Sequence, residues 1–243
     1  VPSFNLRRDR YVILSDTHKG DRTPVVDEFL GNETLYCDAL THYLDEDFRL
    51  VLNGDVEEGW KSAYPDVMEA YRDSAIALEC EFAQRGPDHY LRIYGNHDID
   101  LAQPAFADHM LTPVMSQPVE VHPAVLLGDQ IMIAHGHQGD FSSERFSWFS
   151  RRVVQYLWRP LQRSLRLPWR YPAVLQAPLS ERDRLLAAWA RASRLLLIAG
   201  HTHQPVMVPA AIEDAPAARH HYLNGGCCIF DQVLTGVEID RGE

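Results

Sequence analysis

Cysteine is scarce in this 243-residue sequence, and the few cysteines present form no Cys-x-x-Cys pair. The adjacent Cys227 and Cys228 can bridge each other only with strain, and Cys37 and Cys80 stand alone. This scarcity excludes a small fold held together by disulfides. All four thiols are expected to be free, as is typical of a protein in a reducing cytoplasm.

Long apolar runs are also missing. The longest candidate, residues 195–199, is far shorter than the roughly 20 residues of a membrane-spanning helix, and the first eight residues lack the apolar stretch of a secretory signal. Repeats and low-complexity linkers are absent from the sequence too. With 46% hydrophobic and 23% charged residues, the composition is that of an ordinary globular protein. We therefore predict a single domain over residues 1–243.

Acidic residues are missing from one stretch, residues 145–180, which carries seven arginines. The whole chain has a net charge of -11, so the remainder carries -18 once these seven charges are set apart. Such an acidic balance argues against nucleic acid as a partner, because its phosphates would be repelled. Residues 145–180 are therefore a basic segment in an otherwise acidic chain.

Five short runs rich in Val, Ile, Leu and Tyr end in polar residues, and each run is typical of a buried strand. The runs cover residues 11–15, 50–53, 90–94, 130–134 and 195–199. Between them, residues 35–44 and 67–82 have apolar side chains at helical spacing. This alternation predicts an α/β fold, and by itself suggests an open sheet whose polar loops converge beyond the strand ends. Two further β-rich runs between residues 222 and 239 predict a final hairpin or a second sheet.

The polar loops carry seven side chains of the kinds that coordinate metal ions. Two pairs, Asp16 with His18 and His201 with His203, are spaced so that alternate side chains of an extended segment point to the same side. Oxygen and nitrogen ligands without a thiolate suit Mn, Fe or Zn, and seven donors suit two ions sharing a carboxylate better than one tetrahedral zinc. Because such ion pairs catalyse displacement at phosphorus, the pattern predicts a hydrolase of phosphate esters. The seven residues are Asp16, His18, Asp55, Asn96, His135, His201 and His203.

Five blocks in the sequence resemble, in order, those of the calcineurin-like metallophosphoesterase superfamily, and together they span residues 16–203. The blocks are Asp16-Thr17-His18, Gly54-Asp55, Gly95-Asn96-His97-Asp98, His135-Gly136 and Gly200-His201-Thr202-His203. The resemblance implies a β-sandwich of two mixed sheets flanked by helices, which is the α+β form of the α/β class.

The same resemblance implies a role for each residue. It assigns one divalent ion to Asp16, His18, Asp55 and His203, and the other to Asp55, Asn96, His135 and His201, with Asp55 bridging. Mn is the favoured ion, with Fe or Zn as alternatives. His97 is expected to protonate the leaving oxygen or steady the phosphoryl group, with Asp98 as its orienting partner. The expected reaction is direct attack by a metal-bridging hydroxide on a phosphodiester or pyrophosphate bond, without a covalent enzyme intermediate.

The second block favours one branch of the superfamily. Gly54-Asp55-Val56-Glu57-Glu58-Gly59-Trp60 is similar to Gly-Asp-x-x-Glu-x-Trp in the bacterial UDP-2,3-diacylglucosamine pyrophosphatases of lipid A synthesis, and differs from the Gly-Asp-x-Val-Asp-Arg-Gly of animal-type protein phosphatases. Those pyrophosphatases, however, commonly have Arg where this chain has His97. Three functions stay open: a general phosphodiesterase or pyrophosphatase, the lipid-linked pyrophosphatase, and a non-catalytic metal-bound scaffold, which the complete ligand set disfavours.

The basic stretch belongs to residues 142–180, which we predict to be a helical insertion before the last block. Apolar residues recur every three or four positions from Phe146 to Leu165, and arginines follow a neighbouring stripe. Such a segment packs against the core or a second copy, contacts an anionic membrane or an acylated substrate through Arg151 to Arg170, or binds a nucleic-acid backbone, which the acidic remainder disfavours. We therefore expect a cytoplasmic protein, with or without peripheral contact at the inner membrane, that acts on a phosphorylated small-molecule or lipid-linked substrate. The oligomeric state stays open.

Overall fold

The computed structural model describes residues 5–138, 179–209 and 220–242. In this part of the chain, the strands are β1 (Arg10–Leu14), β2 (Arg49–Asn53), β3 (Tyr90–Ile93), β4 (Val121–His122), β5 (Val125–Leu127), β6 (Ile131–Ile133), β7 (Leu196–Ala199), β8 (Pro205–Pro209), β9 (His220–Gly225) and β10 (Gly236–Asp240). The helices are α1 (Glu33–Asp45), α2 (Tyr64–Ala70), α3 (Ala75–Gln84), α4 (Pro104–Met115) and α5 (Glu181–Ser193), with 3-10 turns at Leu30–Asn32 and Ile99–Ala102. Among these described helices, none is both long and apolar enough to cross a membrane. The predicted insertion, apart from its last two residues, lies outside the described residues.

The strands form two mixed sheets of five strands each. In the first sheet the order is β10-β1-β2-β3-β4, with β10 antiparallel to β1 and the other neighbours parallel. In the second sheet the order is β5-β6-β7-β9-β8, where β6, β7 and β9 are parallel and the two edge strands are antiparallel to their neighbours. The two mixed sheets flanked by helices are therefore confirmed, and the single open sheet that the strand pattern alone suggested is wrong.

The core between the sheets is built from alternate residues of their strands, because successive side chains of a strand point to opposite faces. Tyr11, Ile13 and Val51 of the first sheet join Ile133 and Ile198 of the second in one buried cluster. Burying an aliphatic side chain of this size contributes about 1.5–3 kcal/mol. The closed layer between the sheets therefore fixes how their ends lie relative to each other.

Helices cover the outer faces of both sheets. On the first sheet, the intervening residues Val12 and Leu50 pack with Leu40 of α1 and Phe82 of α3 in a second buried cluster. On the second sheet, Ala190 of α5 packs in a smaller cluster that also contains residues of β7 and β9. Both faces of the central strands are buried in this way, which explains why they have nearly continuous apolar runs.

Two predictions about secondary structure are corrected by the structure. The helical pattern over residues 67–82 is interrupted at residues 71–74, where the hydroxyl of buried Tyr71 donates to Asp27 at 2.7 Å. The spacing of apolar residues continues across this break, so it does not show in the sequence. At the other end of the chain, β9 and β10 lie in different sheets, so the predicted final hairpin is wrong and its alternative, a second sheet, is right.

Candidate metal centre

Five loops meet where the two sheets end together. Three of them follow β1, β2 and β3 of the first sheet, and two follow β6 and β7 of the second, so each leaves the carboxyl end of a strand that has a parallel neighbour. All seven predicted ligands lie in these loops. The sandwich thereby brings together residues from Asp16 to His203.

Asp16, His18 and His203 form one cluster, in which one ligand atom from each residue lies within 4.8 Å of the others. Oδ1 of Asp16 is 3.1 Å from Nε2 of His203 and 3.8 Å from Nε2 of His18, and the two Nε2 atoms are 3.3 Å apart. Asp16 and His18 are buried, whereas the His203 side chain is 21% exposed. The cluster is thus accessible from the side of His203.

Asp55, His135 and His201 form a second cluster by the same distance criterion of 4.8 Å. Oδ2 of Asp55 is 3.2 Å from Nε2 of His135. The same oxygen is 3.8 Å from Nε2 of His18, which belongs to the first cluster. One carboxylate oxygen therefore faces both groups of ligands.

Among the described residues, Oδ1 of Asn96 is buried without a hydrogen-bond partner, and Oδ1 of Asp16 and Nε2 of His135 face other proposed ligands at 3.1 and 3.2 Å without a well-formed hydrogen bond. Asn96 lies next to His97, whose backbone N–H donates to Oδ1 of Asp55 at 2.8 Å. Buried polar atoms without partners cost free energy and are rare in native proteins. Carboxylate, amide and imidazole donors are ligands that suit Mn, Fe or Zn. The residues present therefore fit a pair of divalent ions.

Five of the seven predicted ligands have backbone conformations that normally favour glycine. Their φ angles are 54° at Asp16, 47° at His18, 51° at Asp55, 68° at His201 and 57° at His203. Each such conformation costs about 1–3 kcal/mol and persists only where the surrounding structure holds it. Because strain of this kind concentrates at functional sites, it supports the placement of the site in these loops.

The loops approach one another so closely that two positions require glycine. A Cβ atom at Gly95 would clash with Oδ1 of Asp55, and one at Gly200 would clash with Oδ2 of Asp16. These oxygens accept backbone hydrogen bonds, that of Asp16 from the N–H of His201 at 3.0 Å. Backbone donors thus hold one oxygen of each carboxylate, and the other oxygen faces the imidazoles.

Two histidines donate their Nδ1–H to oxygen atoms of the protein. Nδ1 of His135 is 2.7 Å from the carbonyl oxygen of Asn53, and Nδ1 of His18 is 3.1 Å from Oε2 of Glu58. A proton held at Nδ1 leaves the lone pair of Nε2 for a metal ion. This agrees with the Nε2 atoms being those that point into the clusters.

His97 lies beside the clusters, with a ring nitrogen within 4.8 Å of ligand atoms of His18 and Asp55. Its Nδ1 is 2.8 Å from Oε1 of the buried Glu58, and its ring stacks on Trp60 with ring centroids 4.1 Å apart. Glu58 therefore binds two imidazoles, that of His97 through Oε1 and that of His18 through Oε2. The prediction that Asp98 orients His97 is wrong, because Glu58 occupies that position.

Asp98 lies behind the loops, away from the imidazole it was expected to orient. Its Oδ1 accepts from the backbone N–H of Gly95 at 2.5 Å, and its Oδ2 accepts from that of Val56 at 2.9 Å. Arg92 of β3, which forms an ion pair with Glu57, is 3.9 Å from the same Oδ2. Burial, together with the charges of nearby carboxylates, raises the pKa of Asp98 to about 6. Asp98 thus links the loop after β2 to the loop after β3 through hydrogen bonds from the backbone of each.

Burial and opposite charges compete for the protonation states of the clusters. Burial alone would raise the pKa of Asp16 and Asp55, but neighbouring imidazoles, that of His135 foremost, hold both pKa values well below the usual range. Burial would lower the pKa of His135, yet the same two carboxylates raise it to about 9. Burial and the charge of His135 lower the pKa of His201 to about 4. Metal binding in neutral solution is therefore expected to displace a proton from His135.

Two residues that support the site were not predicted for that purpose. Glu58 stands out in the sequence only as part of the branch-specific block, although its position three residues after Asp55 is a usable signal. Asp183 had no signal beyond its place near a helix start, and its buried carboxylate accepts from the hydroxyls of Tyr222 at 2.7 Å and Thr202 at 3.2 Å. Its partners lie too far along the chain to be paired from the sequence.

Comparison with known proteins gives a family match over most of the chain. A family model described as calcineurin-like phosphoesterase matches residues 10–205. Among solved structures, the chain is similar to a crystal structure of a dimetal phosphatase from Danio rerio, with 11% sequence identity, 95% of this chain and 91% of that chain covered, and a TM-score of 0.47. No curated protein matches the chain. The family match includes all five loops of the site.

Proposed function

The chain belongs to the calcineurin-like phosphoesterase family and is a metal-dependent phosphoesterase, and from this premise we propose that it hydrolyses phosphodiester or pyrophosphate bonds at a site for two divalent ions. Mn is the proposed ion, with Fe or Zn as alternatives. In this proposal one ion is held by Asp16, His18, Asp55 and His203, and the other by Asp55, Asn96, His135 and His201.

The shared oxygen of Asp55 is the observation that supports this proposal most directly. Oδ2 lies 3.2 Å from Nε2 of His135 and 3.8 Å from Nε2 of His18, so it borders both clusters. Two ligand groups with one oxygen in common suit the spacing of about 3.5–4 Å that is typical of paired ions in phosphoesterases. When bound, such ions supply an activated water and neutralise charge on the phosphoryl oxygens.

His97 is proposed as the general acid that protonates the leaving oxygen. Glu58 accepts at its Nδ1, and Trp60 packs against the face of its ring, so Nε2 is the atom that exchanges a proton with the substrate. The side chain is 19% exposed, which allows water to restore the proton after each turnover. An alkoxide leaving group needs this proton near neutral pH, and an imidazole has a suitable pKa for the transfer.

The proposed reaction is tested by metal removal with three kinds of substrate. Chelation is expected to abolish hydrolysis of a nitrophenyl diester, a nitrophenyl monoester and a nucleoside diphosphate conjugate, and two equivalents of Mn are expected to restore it. The diester and the diphosphate should be hydrolysed faster than the monoester. Calorimetric titration with Mn gives the stoichiometry. A single bound ion, or a preference for the monoester, would contradict the proposal.

The role of His97 is tested by the leaving-group dependence of the rate. In His97→Ala, hydrolysis of alkyl diesters is expected to fall about 10²–10⁴-fold, the usual contribution of a general acid. A nitrophenyl leaving group needs no proton, so its release should be affected far less. His109→Ala, which removes an exposed imidazole on α4, serves as the control, with both substrates expected near the wild-type rate. Equal losses for the two substrates in His97→Ala would show that His97 is not the acid.

The narrower candidate is the UDP-2,3-diacylglucosamine pyrophosphatase reaction. The contacts of Glu58 and Trp60 with His97 support it, because these residues mark the block that resembles that branch. The presence of His97 argues against this candidate, because that branch commonly has Arg at the same position. The associated contact of Arg151 to Arg170 with an inner membrane falls outside the described residues. Hydrolysis of the acylated nucleotide sugar at a rate well above that of other diphosphates is the result that would favour this candidate.

A further inference from the structure

Asp183 is a buried carboxylate outside the metal clusters, and its oxygens have partners beyond the helix cap. Oδ2 accepts from the backbone N–H and the hydroxyl of Ser180 at 3.3 and 2.5 Å, as part of a capping box at the start of α5. Oδ1 accepts from the hydroxyls of Tyr222 at 2.7 Å and Thr202 at 3.2 Å. The capping box uses only Oδ2 of this fully buried carboxylate, whereas Oδ1 contacts groups outside the helix. The contacts of Oδ1 therefore serve something other than capping.

Thr202 connects Asp183 to the turn that carries two of the proposed ligands. The backbone N–H of Thr202 donates to the carbonyl oxygen of Gly200 at 2.8 Å, and the residues on either side, His201 and His203, both have left-handed φ angles. Asn224 Nδ2 donates to the same carbonyl at 2.7 Å and to the hydroxyl oxygen of Thr202 at 3.0 Å. A strained turn is thus held by a continuous network of buried and partly buried hydrogen bonds.

The start of α5 contacts the second ligand-bearing loop of the same sheet. Nη1 of Arg182 donates at 3.1 Å to the carbonyl oxygen of Gly136, the residue after the proposed ligand His135. Further along the helix, Ala190 and Leu186 pack on the outer face of the second sheet. Because this packing holds α5 in place, the contacts of α5 also hold the loop after β6 and the loop after β7 in place.

We propose that Asp183 is a positioning residue for metal binding, which holds the Gly200–His203 turn through the hydroxyl of Thr202 so that His201 and His203 face the two ions. The inference rests on the proposed dinuclear function, because it concerns the same site. The turn carries one ligand of each cluster, so loosening it weakens both ions together. Groups that orient metal ligands typically change metal affinity 10–100-fold.

The test is calorimetric titration of variants with Mn alone. Thr202→Val keeps the shape of the side chain without its hydroxyl, and is expected to weaken both Mn sites about 10–100-fold. Thr202→Ser returns the hydroxyl and is expected to restore the affinity to within a few-fold of the wild type. Asp183→Asn, which changes the other end of the same hydrogen bond, should weaken both sites as well. Circular dichroism of the metal-free proteins identifies any variant that has not folded. If Thr202→Val or Asp183→Asn has not folded, the Mn affinity of the other one tests the proposal.

Ser180→Ala separates capping from positioning. It removes the cap hydroxyl and leaves the contacts of Oδ1, so it should lower the melting temperature without changing the affinity for Mn. Wild-type affinity in folded Thr202→Val or Asp183→Asn would overturn the inference, as would an equal loss in Thr202→Ser and Thr202→Val. Failure of the proposed function looks different, because the wild-type protein itself would then bind fewer than two Mn ions or hydrolyse no phosphate ester.

Discussion

Asp55→Ala is expected to abolish the binding of both metal ions and, as a consequence, the hydrolysis of every phosphate ester. The reason is that one oxygen of this carboxylate lies 3.2 Å from His135 and 3.8 Å from His18, which belong to different clusters. Changing a group that merely orients a ligand costs 10–100-fold in activity or metal affinity, so removal of a shared ligand is expected to exceed about 100-fold in activity. Elemental analysis after dialysis measures bound metal, and the diester assay measures activity.

Asp38→Ala is the matched control for this prediction, because Asp38 is an exposed carboxylate on α1. The control should bind two ions and hydrolyse the diester at the wild-type rate. Circular dichroism must show that metal-free Asp55→Ala is folded. A folded Asp55→Ala protein that retains one ion at full affinity would refute the shared role, and one that retains activity would refute the whole site.

Arg92→Leu is expected to lower the free energy of unfolding by about 3–5 kcal/mol, the usual cost of removing one partner of a buried ion pair. Arg92 is 1% exposed and pairs with Glu57, also 1% exposed, close to the fully buried Asp98. Without the guanidinium, two carboxylates remain in the interior with no cation between them. Because they lie in or beside the loops after β2 and β3, the affinity for Mn should fall as well. Urea unfolding of the metal-free protein gives the loss of stability.

Arg72→Leu is the control that tests whether the loss of stability depends on the burial of the ion pair. Its guanidinium pairs with Glu69 at 2.9 Å, but the two side chains are 51% and 72% exposed. Exposed pairs of this kind contribute little, so the urea midpoint should hardly change. Replacing Arg92 and Glu57 together by leucine should recover part of the lost stability, because an apolar pair leaves fewer charges buried. Equal midpoints for Arg92→Leu and Arg72→Leu would contradict the importance of the buried pair.

The central strands could be predicted from the sequence because the information is local. The run at residues 50–53 is β2, Arg49–Asn53, and the run at residues 195–199 is β7, Leu196–Ala199. Their apolar residues are buried on both faces of a sheet, and a polar residue marks the point where each strand ends. The helical pattern at residues 35–44 likewise falls within α1, Glu33–Asp45.

Pairings over long distances could not be predicted in the same way. Nothing within residues 222–239 indicates that β9 and β10 belong to different sheets, because β10 pairs with β1 near the start of the chain. At residues 71–74, where the helical pattern breaks, Tyr71 donates to Asp27, which is 44 positions away. In both cases the contacts join segments that are distant in the sequence.

By itself, the sequence determined which residue types stand at the ends of the strands, and hence the family and the candidate ligands. Only the tertiary structure decided which neighbours hold those ligands. Asp98 is the next residue after His97 in the chain and Glu58 is 39 positions away, yet Glu58 is the carboxylate that reaches the His97 ring, at 2.8 Å. Asp183 contacts Thr202 and Tyr222 from 19 and 39 positions away. A hydrogen bond requires its two atoms to lie about 3 Å apart. The residue types therefore determine which partners are possible, and the packing of the folded chain determines which of them actually meet.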